Sequence, residues 1–107
     1  MPVLMTLRAK GDPALLEKKA ADQPDFIGAI SADAKKNYGL IAHRFYGSDD
    51  GQILVVDEWP DEASFHRFFE AHQSDIGAMM ADVGATAPPD ISFYRQLDTH
   101  DEVGWGA

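Results

Sequence analysis

Apolar positions recur along the chain with two different periods, and the places where the period changes carry turn residues. Residues 2–8 (Pro-Val-Leu-Met-Thr-Leu-Arg) form a short apolar run closed by Gly11-Asp12-Pro13, which predicts a first strand and then a turn. Asp12 before Pro13 reads as a helix N-cap with proline at the first helical position. The helix it opens would turn Leu15, Leu16 and Ala20 toward the core. Pro24 interrupts the pattern and opens a second helical segment in which Phe26, Ile27, Ile30 and Ala34 recur at helical spacing, ended by Asn37-Tyr38-Gly39.

Residues 40–46 and 52–59 are β-prone runs on either side of Gly47-Ser48-Asp49-Asp50-Gly51, the pattern of a hairpin. Pro60-Asp61-Glu62 then starts a helix with Phe65, Phe68, Phe69 and His72 on one stripe, while Glu62, His66 and Glu70 point elsewhere. Ser74 is placed to cap a further helix carrying Ile76, Met79, Met80 and Val83. After Gly84 and Pro88-Pro89, residues 91–97 read as a last strand. A polar tail over 98–107, relieved by Val103 and Trp105, is expected along the surface.

This order, strand, helix, strand, strand, helix, strand, predicts an α+β fold: a ferredoxin-like, antiparallel four-stranded sheet with helices on one face. The 107 residues fit a single domain with its core over about 2–97. A sheet covered on one side is expected to be polar on the other. Both parities here are partly apolar, Ile53 and Val55 against Leu54 and Val56, Ile91 and Phe93 against Tyr94. The simplest cover for the second face is the same sheet of a second copy, a homodimer joined through sheet faces.

Charge and composition narrow the partners. Nine Lys and Arg against 18 Asp and Glu give a net charge of −9, which repels phosphate backbones and anionic lipid, so neither nucleic acid nor a membrane is expected as a partner. No apolar run approaches the roughly 20 residues that cross a bilayer, and the N-terminal residues lack the pattern of a secretory signal, which reads as a cytoplasmic protein. The absence of cysteine removes thiolate nucleophiles and cysteine-held metal sites. His66 and His72 fall on different helical faces and form no metal-ligand pair, and no phosphate loop or dinucleotide fingerprint is present, so no metal and no cofactor is expected.

The hairpin ending in Asp57-Glu58-Trp59-Pro60, the helix opening Asp61-Glu62-Ala63-Ser64-Phe65, then His72 and Ile76, and the strand after Pro88-Pro89-Asp90 together resemble the antibiotic biosynthesis monooxygenase-like group of the dimeric α/β-barrel superfamily. The resemblance runs to about Leu97 and lies in pattern more than in invariant chemistry. It implies sheet-to-sheet dimers, a pocket between sheet and helices, and, among its members, oxygenases that oxidise aromatic polyketides without metal or flavin. Other members are isomerases, cyclases, haem-degrading enzymes or proteins without known activity, so fold alone does not assign the reaction. Haem-degrading relatives carry an Asn on the first strand and a Trp on the second helical region; Thr6, Arg8 and Phe68 stand there here, and haem is not expected.

Two histidines are the catalytic candidates. His72 shares the apolar stripe of Phe65, Phe68 and Phe69, as a base at an aromatic pocket wall or as a satisfied core residue. His43 alternates with Ile41 and Phe45 and faces either the helices or the dimer seam. Trp59, Phe68, Phe69, Met79 and Tyr94 are the candidate substrate contacts, each with ordinary packing as its alternative. Arg44 and Arg95 are expected in ion pairs with Asp57 or Glu58. The reading is a small cofactor-independent monooxygenase-like protein acting on an apolar, aromatic or polyketide-like small molecule. The alternatives are a non-catalytic ligand-binding or interaction module, or a cofactor-free isomerase or cyclase.

Overall fold

Eight elements follow one another in the computed structural model, which describes residues 2–104: β1 (Val3–Lys10), α1 (Pro13–Asp22), α2 (Pro24–Tyr38), β2 (Ala42–Gly47), β3 (Gln52–Trp59), α3 (Glu62–Ala71), α4 (Gln73–Asp82) and β4 (Asp90–Arg95). Local chemistry sets most of these boundaries. The Asp12 carboxylate accepts a hydrogen bond from the Ala14 amide at 2.9 Å, with Pro13 in the first turn, so α1 starts where the Asp-Pro pair predicts. Asp61 caps α3 in the same way, accepting from the Ser64 amide at 2.7 Å and from the Ser64 hydroxyl at 2.8 Å, and these bonds hold its carboxyl below the usual carboxylate range. Gly39 ends α2 with φ of +78°, a left-handed conformation that a side chain resists.

The strands form one antiparallel sheet in the order β2-β3-β1-β4. The connections from β1 to β2 and from β3 to β4 each pass through a pair of helices, and β2 joins β3 by a hairpin, which gives the ferredoxin-like α+β arrangement expected. The hairpin is also as expected: Ser48 and Gln52 close its turn, and the register pairs His43 with Asp57, Phe45 with Val55 and Gly47 with Ile53.

One sheet face carries the core. Met5 and Leu7 of β1, Ile53, Val55 and Trp59 of β3, and Phe65 and Phe68 of α3 are buried there, with Trp59 at 0% exposure. Its indole lies 5.7 Å from the Phe65 ring and 5.3 Å from the Phe68 ring, centroid to centroid, within the range in which aromatic pairs attract. A second cluster around Ile53, Leu16, Met79 and Val83 fills the other end. Lys19 closes that end, with its ammonium 2.7 Å from Asp82 and 4.8 Å above the Phe26 ring, so α1, α2 and α4 share one cation.

Three local expectations are corrected. Leu15 (43% exposed) and Ala20 lie on the outer side of α1, and only Leu16 of that trio is buried, because the short helix turns one residue per turn inward. Ser74 does not cap α4: the helix begins at Gln73 with His72 at the cap position, since the chain bends directly from α3 into α4 at that residue. The last strand stops at Arg95, and Leu97 is exposed beyond it. Trp105 of the expected surface tail lies outside the described residues.

The other sheet face is mixed, with Thr6, Arg8, Arg44, Glu58 and Ser92 among apolar side chains. Leu4, Tyr46 and Tyr94 are 39%, 43% and 54% exposed on it, beside the half-buried Leu54 and Val56. No helix of the described residues is long and apolar enough to cross a membrane.

Candidate active site

A cavity of about 70 Å³ lies between the sheet and the helices and opens into a hollow of about 530 Å³ when its mouth is included. The sheet supplies Met5, Leu7, Phe45 and Val55 as its floor, and the aromatic wall is Trp59, Phe65, Phe68 and Phe69. Ile30 and Ala34 of α2 and Met79 and Met80 of α4 close it from the helical side. The lining is almost wholly apolar. Four residues on it carry polar groups: Ser31, His43, Asp57 and, through its indole N–H, Trp59.

Three of those four are bonded together. Nδ1 of His43 lies 2.6 Å from Oδ1 of Asp57, and the indole N–H of Trp59 donates to Oδ2 of the same carboxylate at 3.2 Å. Asp57 is 4% exposed, so both its oxygens are satisfied inside the protein by two donors that flank it. The strand geometry produces this group. His43 and Asp57 are direct cross-strand partners, and Asp57 and Trp59, two residues apart, share a face of β3. With the carboxylate accepting a hydrogen bond from Nδ1–H, Nε2 is the nitrogen of His43 with a free lone pair, and the ring is further fixed edge-on against Phe45 at 4.8 Å. Asp57 takes its hydrogen bonds from His43 and Trp59.

The other histidine is elsewhere. His72 stands at the corner between α3 and α4, does not line the cavity, and has its Nε2 2.6 Å from Oδ2 of Asp33 on α2. Bonds from His72, first, and from Asn37 hold the Asp33 carboxyl below the usual carboxylate range. Of the expected contacts, Trp59, Phe68, Phe69 and Met79 are on the cavity wall and Tyr94 is not: its parity on β4 puts it on the opposite sheet face, next to Leu4. Ser31 and Asp33 were not singled out by the sequence, and Asp57 was named only within the hairpin motif and as an ion-pair partner. Asp57 had a readable signal, because a hairpin turn centred on Asp50 sets it opposite His43. Among the described residues no group of three or more His, Asp or Glu side chains is arranged to hold a metal ion.

No family model matches the chain, and no curated protein matches it. Solved structures do. A monooxygenase from the ActVA-Orf6 gene of Streptomyces coelicolor, in complex with nanaomycin D, superposes with a TM-score of 0.68 at 17% identity, over 94% of this chain and 92% of that one. SnoaB, a cofactor-independent oxygenase from Streptomyces nogalater, gives 0.61 at 17% identity over 94% and 98%. A conserved protein from Methanosarcina mazei gives 0.64 at 16% identity over 91% and 94%. The chain therefore has the fold of the antibiotic biosynthesis monooxygenase-like proteins, as its sequence pattern implied.

Proposed function

We propose that the protein is a cofactor-independent oxygenase for a small, apolar, aromatic molecule, with His43 as its base. The observation that carries this reading is the buried Asp57 carboxylate bonded to a histidine on the wall of an aromatic cavity. Asp57 holds the ring of His43 in the tautomer whose Nε2 accepts a proton, and Trp59 holds Asp57. This is the division of labour by which a carboxylate orients a histidine base in other enzymes. His72, paired with Asp33 away from the cavity, is not assigned a catalytic part.

Nε2 would remove the proton of a phenol or enol, and the resulting anion would give electrons to dioxygen. At an activated ring methylene, the carbon loses two hydrogens and gains one oxygen atom as a carbonyl. The second oxygen atom leaves as water. The substrate supplies all four electrons, so no outside reductant enters. The apolar wall favours an uncharged substrate, because an ion would lose its hydration there without a free partner of opposite charge. The fold shared with an oxygenase described as cofactor-independent supports the same reaction class.

One observation favours a second reading, binding without turnover. The inner 70 Å³ behind the mouth is small beside ordinary ligand sites of a few hundred Å³ or more, so a substrate seated there needs the helical wall to move. Dioxygen uptake by chelator-treated protein with neutral phenols of one to three rings that carry an activated methylene separates the readings. Uptake that matches product formed one to one supports the oxygenase. Binding without uptake supports the binder, and product formed without uptake indicates an isomerase or cyclase.

The assembly belongs to the same proposal. Leu4, Tyr46, Tyr94 and Val56 leave apolar surface in water on a sheet face they share with Arg8, Arg44 and Glu58, and a second copy packed face to face would cover it.

A further inference from the structure

Asp33 and His72 are 39 positions apart, and the bond between them ties α2 to the corner where α3 bends into α4. All three elements contribute to the helical wall of the cavity: α2 gives Ile30 and Ala34, α3 gives Phe68, and α4 gives Ile76 and Met80. The imidazole is 16% exposed and lies against the Phe68 ring at 4.9 Å and the Tyr38 ring at 6.4 Å. Its second nitrogen, Nδ1, is buried without a hydrogen-bond partner among the described residues, 3.7 Å from Oδ2 of Asp75 on α4.

That arrangement suits one protonation state better than the other. In the neutral ring, Nε2–H is donated to Asp33, and the Nδ1 lone pair faces a carboxylate, acceptor against acceptor. In the charged ring both nitrogens donate, and a carboxylate stands on each side of the cation. The charged and titratable groups around the ring are Asp33 and Tyr38 from α2, with Lys36 and Asn37 acting on Asp33, and Asp75 from α4; α3 contributes the Phe68 ring. Histidine is the side chain that changes charge in the neutral range.

We propose that His72 is a proton-operated clasp on the cavity. With its second proton it is a cation between Asp33 and Asp75 and holds α2 against the α3–α4 corner by an ion pair; without that proton the Asp33 bond remains but loses its ionic part, and the Nδ1 lone pair faces the Asp75 carboxylate, so the helical wall loosens and admits a ligand. The clasp explains how a cavity of small inner volume widens, and it stands whether the cavity's occupant is converted or only bound.

Trp59 reports on it directly, being fully buried on the cavity wall. A Trp105→Phe protein has Trp59 as its single tryptophan, since the chain has two. Quenching of its fluorescence by acrylamide is expected to rise about threefold between about pH 5.5 and pH 8. The rise should vanish in the same protein carrying His72→Gln, shrink with Asp75→Asn, and persist with His43→Gln, which removes the other histidine near the indole. No pH dependence in the parent, a rise undiminished by His72→Gln, or a rise abolished by His43→Gln overturns the proposal. If His72→Gln does not fold, Asp75→Asn decides, with an undiminished rise counting against the clasp.

Discussion

His43 and Asp57 face one another across the β2–β3 ladder, and their 2.6 Å bond places a buried carboxylate behind a histidine on the cavity wall. The carboxylate cannot be exchanged for its amide without consequence. Asn at position 57 offers either an acceptor or a donor to Nδ1 and loses the charge that stabilises the protonated ring. Asp57→Asn should therefore lower turnover by about 10²- to 10⁴-fold, chiefly in kcat, with the far-ultraviolet circular dichroism unchanged. Steady-state rates on a folded variant check this.

Trp59 supports the same carboxylate from the other side. Trp59→Phe keeps a large ring against Phe65 and Phe68 but removes the N–H that Oδ2 accepts. Leaving that buried oxygen without its donor should destabilise the protein by about 1–3 kcal/mol, read from the urea midpoint at constant m-value.

Acid should act through Asp33. Its folded carboxyl lies below its ordinary value of 3.8, so its ionised form is favoured by folding. The stability it contributes is full above the unfolded value and is lost as pH falls through the lower folded value. Urea unfolding at pH 7 and near pH 3 should show a smaller acid-induced loss in Asp33→Asn than in the parent.

Much of this fold is legible in the sequence because its signals are local. Asp12-Pro13, Asp61 three residues before Ser64, and Gly39 each act within one turn of chain, and the hairpin turn fixes its own register. The site is less legible. His43 had two possible faces until β3 was set beside β2, and the partner of Asp57 follows from that pairing and not from charge. The Asp33–His72 bond depends on how α2 packs against a corner 39 positions away, and no short-range pattern encodes it. Tyr94 was misplaced for a related reason: in a short strand with apolar residues of both parities, sequence does not say which face meets the helices.

Gly39 tests the backbone reading. Alanine there would have to hold φ near +78°, with its Cβ 3.0 Å from Cγ of Pro60. Gly39→Ala should cost about 1 kcal/mol or more, seen as a lower urea midpoint without loss of helix content.

The open sheet face makes a prediction about assembly. The protein should run as a dimer by light scattering at micromolar concentration, and Val56→Asp, which sets a charge in the middle of that face, should shift it to monomer.

The most direct measurement is the initial rate of dioxygen uptake with anthrone, comparing chelator-treated parent and His43→Gln proteins at neutral pH. The reading of His43 as base predicts uptake by the parent and a loss of about 10²-fold or more in the variant, with one carbonyl formed per dioxygen consumed. Equal rates for the two proteins, each above the uncatalysed rate, would contradict it.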